Sequence, residues 1–211
     1  MKKARYGRFI NTNWKTLHDQ PLTTRSVNDL LQNTIPAIRH RNFLSADECS
    51  KLVDIVQKHQ IGSYNQERRF KAEADIDILG RVATLLEEAT GLETRIARED
   101  GRAYFAGLLR AVKDYIQIHS DYAPYDGTDW EIGKITSQLT WNILLRQVPG
   151  GDTIIYDRQW QGESDEGFRK AFPRYAYEPS GVQGSVFKAL TAIEGDLTFF
   201  NSRYVPVPSL Y

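Results

Sequence analysis

The stretch Tyr115-Ile-Gln-Ile-His-Ser-Asp-Tyr-Ala-Pro-Tyr125 decides how the chain is interpreted, because it places an imidazole and a carboxylate at the end of an alternating run. On a β-strand, side chains two residues apart project from the same face. His119 and Asp121 are therefore predicted to project together from one strand end. An imidazole and a carboxylate are two of the three protein ligands in a facial metal site of two histidines and one carboxylate. The triplet is short and common, so the metal prediction depends on the rest of the sequence.

Composition predicts one soluble domain and excludes several function classes. The chain has 211 residues, with 27 basic and 27 acidic side chains and a formal net charge of zero. This balance argues against a nucleic-acid or membrane-surface partner and favours a small-molecule substrate. Cys49 is the only cysteine, which excludes an internal disulfide framework and fits a reducing compartment. The sequence shows no apolar signal region or membrane-spanning run, so we expect a cytoplasmic protein.

The chain is predicted to form a single domain over residues 1–211. Residues 1–35 are polar and are predicted as an extended arm or a short irregular helix, and residues 36–103 as mostly helical support. Residues 104–211 are predicted as the β-rich core. Helices followed by short strands indicate an α+β protein in which a barrel or sandwich is backed by N-terminal helices.

Local signals place two helices in the supporting region. Residues 35–44 are predicted as a short strand, because the residue before a proline favours extended geometry. Ser45-Ala-Asp-Glu48 is a capping-box signature that predicts a helix start. Apolar residues at helical spacing predict a second helix over about residues 75–90, ending before Gly91.

Alternating or β-rich runs recur in the second half of the chain and are separated by Gly and Pro turns. The runs predicted as strands are 104–109, 111–122, 135–146, 153–156, 185–190 and 196–200.

Three motifs follow one another in this β-rich region. The first is His119-Ser-Asp121, the second is Gly150-Gly-Asp-Thr153 after the strand-like run 139–146, and the third is Gly195-Asp-Leu-Thr-Phe-Phe-Asn-Ser-Arg203. The series resembles the Fe(II)/2-oxoglutarate-dependent oxygenases, and more narrowly their prolyl-4-hydroxylase-like branch with its small-molecule hydroxylases and halogenases. The resemblance extends over about residues 38–203.

The resemblance implies a double-stranded β-helix (jelly roll) and the cofactors Fe(2+) and 2-oxoglutarate. It implies that His119 and Asp121 are the catalytic metal ligands, and that Tyr115, Asn142 and Arg203 bind the cofactors. Tyr115 shares the strand phase of His119. Periodicity leaves open whether the face of Asn142 or the opposite face of its strand lines the cavity.

The residue at position 121 also bears on the reaction. In the halogenases of this family a small residue replaces the carboxylate and leaves an iron position for chloride. Because this sequence has Asp121, the resemblance implies hydroxylation of a small metabolite such as an amino acid, in preference to halogenation.

The sequence departs from the family after Arg203. Val205 or Pro206 stands where the family has its second histidine, and the sequence contains no histidine after His119 and no arginine after Arg203. Three explanations stay open: a truncated oxygenase, a non-catalytic relative, and an altered site that another group completes. We expect missing closing strands, impaired turnover, and association into a homo-oligomer through an unpaired sheet edge. The alternative function is a cupin-like jelly-roll module that binds a small molecule without iron.

Overall fold

The computed structural model describes residues 12–59, 66–110, 116–173 and 175–208. Tyr115, predicted to bind a cofactor, lies outside the described residues. Helices dominate the first half of the described chain and strands the second half. The α-helices are α1 (Thr24–Leu31), α2 (Ala46–His59), α3 (Gln66–Ala74), α4 (Ile78–Thr90) and α5 (Ala123–Asp126). The strands are β1 (Ile38–His40), β2 (Arg98–Glu99), β3 (Arg102–Ala103), β4 (Thr140–Ile143), β5 (Thr153–Gln159), β6 (Phe187–Leu190), β7 (Leu197–Phe200) and β8 (Tyr204–Pro208).

Local capping explains where the long helices begin. The Ser45 hydroxyl accepts the backbone N–H of Glu48 at 3.2 Å, and the Glu48 carboxylate accepts the N–H of Ser45 at 2.9 Å. This reciprocal capping box confirms the predicted start of α2. The second predicted helix begins at Ile78, later than expected, because Asp77 caps it by accepting the N–H of Gly80.

Two helices differ from the sequence prediction. The predicted arm contains the regular helix α1, which Thr23 and Ser26 cap reciprocally. Helix α3 was not predicted, because its sequence is strongly polar and Phe70 is its buried apolar anchor. An apolar stripe is the main signal for a helix, and α3 offers almost none.

The larger strands form two three-stranded antiparallel sheets. The first sheet has the order β1-β7-β4, with Trp141 opposite Phe199 and Asn142 opposite Thr198. The second has the order β6-β5-β8, with Ile155 opposite Lys188 on one side and Pro206 on the other. Strands β2 and β3 form a separate hairpin.

Alternation in the first sheet gives it two apolar faces. One face packs against α1 and α4 through a buried cluster that includes Leu30, Ile38, Val82, Leu197 and Phe199. The other face meets the second sheet in a cluster formed by Trp14, Ala37, Ile155, Leu190 and Phe200. The described chain is therefore layered as helices, first sheet and second sheet, an arrangement of helix and sheet layers around apolar cores.

Three strand predictions need correction. Residues 104–109 form no strand, because Gly107 adopts a φ of +84° that interrupts extended backbone. The predicted run 135–146 contracts to β4, and the described part of 111–122 contributes an isolated antiparallel bridge between His119 and Ala176. Strand β8 follows Arg203 and pairs with β5, so one strand lies beyond the third motif.

Within the described segments, none of the helices has the length and apolarity needed to cross a membrane.

Candidate functional site

The predicted metal ligands lie side by side. His119 Nε2 is 3.7 Å from a carboxylate oxygen of Asp121, and their side chains are 12% and 57% exposed. His119 Nδ1 is 2.7 Å from the carbonyl oxygen of Gln117. A carbonyl only accepts, so Nδ1 carries the proton in this contact and Nε2 keeps a lone pair that faces Asp121. The imidazole is therefore mostly buried, oriented by the Gln117 carbonyl, and paired with a partly exposed carboxylate.

This donor set fits two positions of a ferrous iron site. Imidazole nitrogen and carboxylate oxygen are the ligand types of the facial triad. Metal-binding histidines commonly donate their second ring N–H to a carbonyl, as His119 does. In the part of the chain that the structure describes, no cluster of three or more His, Cys, Asp or Glu side chains offers a complete metal site.

The first and third sequence motifs meet at this pair. The backbone N–H of Asp121 donates to the carbonyl oxygen of Ser202 at 2.9 Å, and the Ser202 hydroxyl donates back to the carbonyl oxygen of Asp121 at 2.9 Å. The Ser120 hydroxyl donates to the carbonyl oxygen of Arg203 at 3.1 Å. Residues more than 80 positions apart in the sequence are thus joined by several hydrogen bonds.

Gln138 is a site neighbour that the sequence analysis missed. Its side-chain carbonyl accepts the N–H of Ala123 at 2.8 Å, and its NH2 donates to the carbonyl oxygen of Asp121 at 3.0 Å and to the Ser202 hydroxyl at 3.1 Å. A single glutamine before a strand carries no local signal for this role, since its partners are set by tertiary pairing.

Arg203, predicted to bind a cofactor, lies close to the residues that follow the pair. Its guanidinium carbon is 4.9 Å from the ring centroid of Tyr122, the residue that follows Asp121. Its Nε is buried and has no hydrogen-bond partner among the described residues. Buried polar atoms in folded proteins normally have a partner, so this donor is free to bind an acceptor that the described residues do not provide.

Asn142 lies on the site side of the first sheet. Its neighbour Trp141 packs with Phe199 against the helices, so the opposite phase of β4 faces the second sheet. The Asn142 side chain is exposed there, and its backbone carbonyl accepts the Thr198 hydroxyl at 3.3 Å. The structure therefore places Asn142 on the face of β4 that is turned toward the second sheet.

The segment around residues 160–177 adds an aromatic border that the sequence analysis also missed. The ring of Tyr175 meets the ring of His119 edge-on at 5.9 Å. Tyr177 donates its backbone N–H to Ile118 at 2.8 Å, and Tyr125 packs on Trp160 at 3.9 Å between ring centroids. Aromatic surface thus covers one side of the imidazole and of the helix that follows Asp121.

One carboxyl near the pair has a perturbed pKa. Burial raises the pKa of Asp126, and the Asp121 carboxylate raises it further, although the N–H of Tyr122 opposes the change.

The residues around the Gly150-Gly-Asp-Thr153 motif are different from those that contact His119 and Asp121. Gly150 and Asp152 line an open concavity of about 710 Å³ together with Val148, Ile154 and Phe187. The second motif therefore forms the turn into β5, while the first and third motifs form the candidate site.

No family model matches the chain. It is 45% identical over 140 residues to "Leucinostatins biosynthesis cluster protein S" of Purpureocillium lilacinum, a match covering 65% of this chain and 58% of that protein. It is 31% identical over 134 residues to the "L-gamma-glutamyl-L-propargylglycine hydroxylase" of Streptantibioticus cattleyicolor, covering 62% of this chain and 46% of that protein. The chain therefore spans about half the length of the curated relatives it matches.

The structure resembles a crystal structure of an N-substituted L-amino acid dioxygenase from Burkholderia ambifaria. The TM-score is 0.54 at 14% sequence identity, over 88% of this chain and 82% of that protein, which is a likeness of fold. With the hydroxylase relative, this likeness confirms the resemblance first seen in the three motifs. The chain is therefore similar in sequence to a hydroxylase and in fold to an amino acid dioxygenase, in agreement with the resemblance of its three motifs to the Fe(II)/2-oxoglutarate-dependent oxygenases.

Proposed function

We propose that this chain provides the iron and cosubstrate site of an Fe(II)/2-oxoglutarate-dependent hydroxylase that acts on an amino-acid-like small molecule. The observation that carries the proposal is the His119–Asp121 pair, which is fixed in a metal-binding tautomer and bonded to the Asn201-Ser202-Arg203 segment. The same proposal includes three further expectations. The domain is a jelly roll, the protein is cytoplasmic, and a third ligand completes the iron site.

In this proposal His119 Nε2 and the Asp121 carboxylate hold the iron. The bound iron, with 2-oxoglutarate and O2, supplies the oxidation of a substrate C–H bond, while the cosubstrate is converted to succinate and CO2. The carbonyl of Gln117 accepts the N–H of Nδ1, so that Nε2 is the ring nitrogen left for the metal ion. The aromatic border at Tyr175 limits the access of water to the histidine.

Arg203 binds a carboxylate of 2-oxoglutarate in this scheme. Its buried Nε lacks an acceptor among the described residues, and its cation is already held over Tyr122. A guanidinium offers several N–H donors in a fixed plane that matches a carboxylate. Asn142, exposed on the same face of the first sheet as Thr198, is a second polar contact for the bound molecule. Tyr115, outside the described residues, stays a sequence-based candidate.

Hydroxylation is favoured over halogenation because Asp121 supplies a carboxylate at the position where the halogenases carry a small residue. The substrate class is supported by two names. One relative is named as a hydroxylase of L-gamma-glutamyl-L-propargylglycine, and the structural neighbour as a dioxygenase of N-substituted L-amino acids. An amino acid carrying a substituent on nitrogen is therefore the first substrate to test.

The test is a panel of free, N-acylated and gamma-glutamyl amino acids incubated with the protein, Fe(II), ascorbate and 2-oxoglutarate, and analysed by mass spectrometry. We expect one compound class to gain 16 mass units, the mass of one oxygen atom, with an equal amount of succinate. His119→Ala should abolish both products. Products that persist in His119→Ala, or oxidation of a polynucleotide alone, would contradict the proposal.

A further inference from the structure

We infer that Gln138 is a positioning residue that fixes the backbone of Asp121 for metal binding. The inference deepens the proposed function and rests on it. Gln138 itself touches neither the imidazole nor the carboxylate through any of its three hydrogen bonds to Asp121, Ser202 and Ala123. It acts on the backbone from which the Asp121 carboxylate projects.

The position of Gln138 follows from the first sheet. In the β4–β7 register, Thr140 lies opposite Phe200. Continued by two residues, this register places Gln138 opposite Ser202, where its NH2 meets the Ser202 hydroxyl at 3.1 Å. Alternation also puts Gln138 on the same side as Asn142, while Leu139 packs against the helical core. Gln138 is thus anchored to a sheet and directed at the site.

The contacts require an amide. The Gln138 oxygen accepts the N–H of Ala123, and the nitrogen donates to two oxygens, the carbonyl of Asp121 and the hydroxyl of Ser202. Only a group that accepts at one atom and donates twice at the other meets all three partners. Ser202, which is buried, donates to the same Asp121 carbonyl, so that the two side chains hold one acceptor from two directions.

The consequence is a link between the rigid sheet and the metal pair. His119 and Asp121 lie on a segment with a single isolated bridge among the described residues, and that bridge is on the His119 side. The Asp121 side is held by the backbone bond to Ser202 and by Gln138. Groups beyond the ligands that orient a metal site commonly change metal affinity by about 10–100-fold when they are replaced.

The experiment measures the affinity of the protein for Co(II) alone, by anaerobic titration of its visible absorption, at a temperature where the metal-free variants are folded by circular dichroism. Gln138→Met preserves the length of the side chain and removes all three hydrogen bonds. We expect its dissociation constant for Co(II) to rise about tenfold, with an altered absorption band. Gln147→Met, on the exposed rim of the open concavity, is the matched control and should leave the dissociation constant unchanged.

Gln138→Glu keeps the shape and the acceptor for Ala123, but loses the donor. Its added negative charge attracts a cation, so weaker Co(II) binding in this variant would come from the altered contacts with the Asp121 carbonyl and the Ser202 hydroxyl. Wild-type affinity in both variants would overturn the inference, and so would failure of both to fold, because Gln138 would then be needed for folding.

The variant His119→Ala distinguishes failure of the proposed function from failure of the inference about Gln138. If it binds Co(II) like the wild type, the metal site itself is wrong; if it loses binding and the Gln138 variants do not, only the role of Gln138 is wrong.

Discussion

At the scale of single residues, Arg203 has the most direct consequence for ligand binding. Its charge is held 4.9 Å above the Tyr122 ring, and its buried Nε lacks an acceptor among the described residues. The ring contact restrains the guanidinium, and a restrained side chain loses less entropy when a carboxylate binds.

Replacing Arg203 should weaken the binding of 2-oxoglutarate to the Co(II)-loaded protein. Arg203→Met removes charge-assisted hydrogen bonds of about 1.5–3 kcal/mol, so we expect a ten- to hundredfold increase in the dissociation constant. Arg203→Lys keeps the charge without the planar donors and should give an intermediate value. The measurement is anaerobic calorimetry. Arg25→Met, at a side chain that is 90% exposed, is the control. Wild-type affinity in Arg203→Met would remove Arg203 from the site.

A second residue, Asp165, is expected to make stability depend on pH. It is 2% exposed, and Arg158 donates to its two carboxylate oxygens at 3.1 and 2.5 Å. Burial alone would raise the pKa of Asp165, but the hydrogen bonds from Arg158 and from the N–H of Gln161 outweigh burial and lower it. A carboxyl with a lowered folded-state pKa stabilises the protein above its unfolded pKa of about 3.9, and this stability is lost as the pH falls through the folded value.

We expect Asp165→Asn to lower the free energy of unfolding at pH 7 by about 3 kcal/mol, since it leaves the charge of Arg158 without its buried partner. The difference from the wild type should shrink as the pH falls below about 4 and through the lowered folded-state pKa of Asp165, where the folded wild-type carboxyl also loses its charge. Urea unfolding at both pH values measures this, with the exposed Asp129→Asn as the control. An equal difference at both pH values would show that the charge of Asp165 is not responsible.

At the scale of secondary-structure elements, the Gly195-Asp196 pair of the third motif determines how β7 begins. Gly195 has a φ of +79°, and a Cβ at this position would lie 2.3 Å from the carbonyl oxygen of Leu44. The Asp196 carboxylate, buried beside it, accepts the N–H of Asn42 at 2.9 Å and a guanidinium N–H of Arg39 at 3.1 Å. The two residues join β7 to β1 and to the turn that follows it, and so place the Asn201-Ser202-Arg203 segment.

Gly195→Ala should lower the free energy of unfolding by more than about 2 kcal/mol, because left-handed backbone costs about 1–2 kcal/mol for a residue with a Cβ and the contact with Leu44 adds to this. Gly184→Ala is the matched control, since its φ is +80° but nothing lies within 4 Å of the added Cβ. The free energies of unfolding of both variants in urea separate the cost of backbone strain from the cost of the close contact with the Leu44 carbonyl oxygen. Equal losses in the two variants would mean that the backbone at Leu44 moves aside.

The same elements show what the sequence can predict. The capping box of Ser45 and Glu48 involves residues three apart, and the shared face of His119 and Asp121 follows from the period of a strand, so both are local patterns. The role of Gln138 depends on the β4–β7 register, which brings together residues 64 positions apart, and no local pattern contains it. The run 104–109 shows the opposite error, an alternating sequence whose backbone is interrupted at Gly107.

At the scale of the whole molecule, the N-terminal region connects the layers. Trp14 is 6% exposed and packs between the sheets with Phe200 and Ile155. Its indole N–H donates to the side chain of Asn33 at 2.8 Å, and Asn33 in turn donates to Asp157 on β5 at 3.1 Å. A region predicted as a covering arm thus supplies part of the core. Association of copies through a sheet edge stays a prediction.

Trp14→Ala should lower the free energy of unfolding by about 3–5 kcal/mol, the usual cost of removing a large buried aromatic side chain. Circular dichroism and fluorescence should report one shared transition, because the residue contacts both sheets. Leu17→Ala, at an exposed position in the same segment, should cost less than about 1 kcal/mol. A Trp14→Ala protein as stable as the wild type would show that this region does not join the layers.

The most direct test of the central claim is an anaerobic Fe(II) titration of the wild type, His119→Ala, Asp121→Ala and the control His18→Ala, a histidine outside the candidate site. The His119–Asp121 pair predicts measurable Fe(II) binding by the wild type and by His18→Ala, and a large loss of affinity in both site variants. Equal affinity for Fe(II) in the wild type and His119→Ala would contradict the assignment of the site.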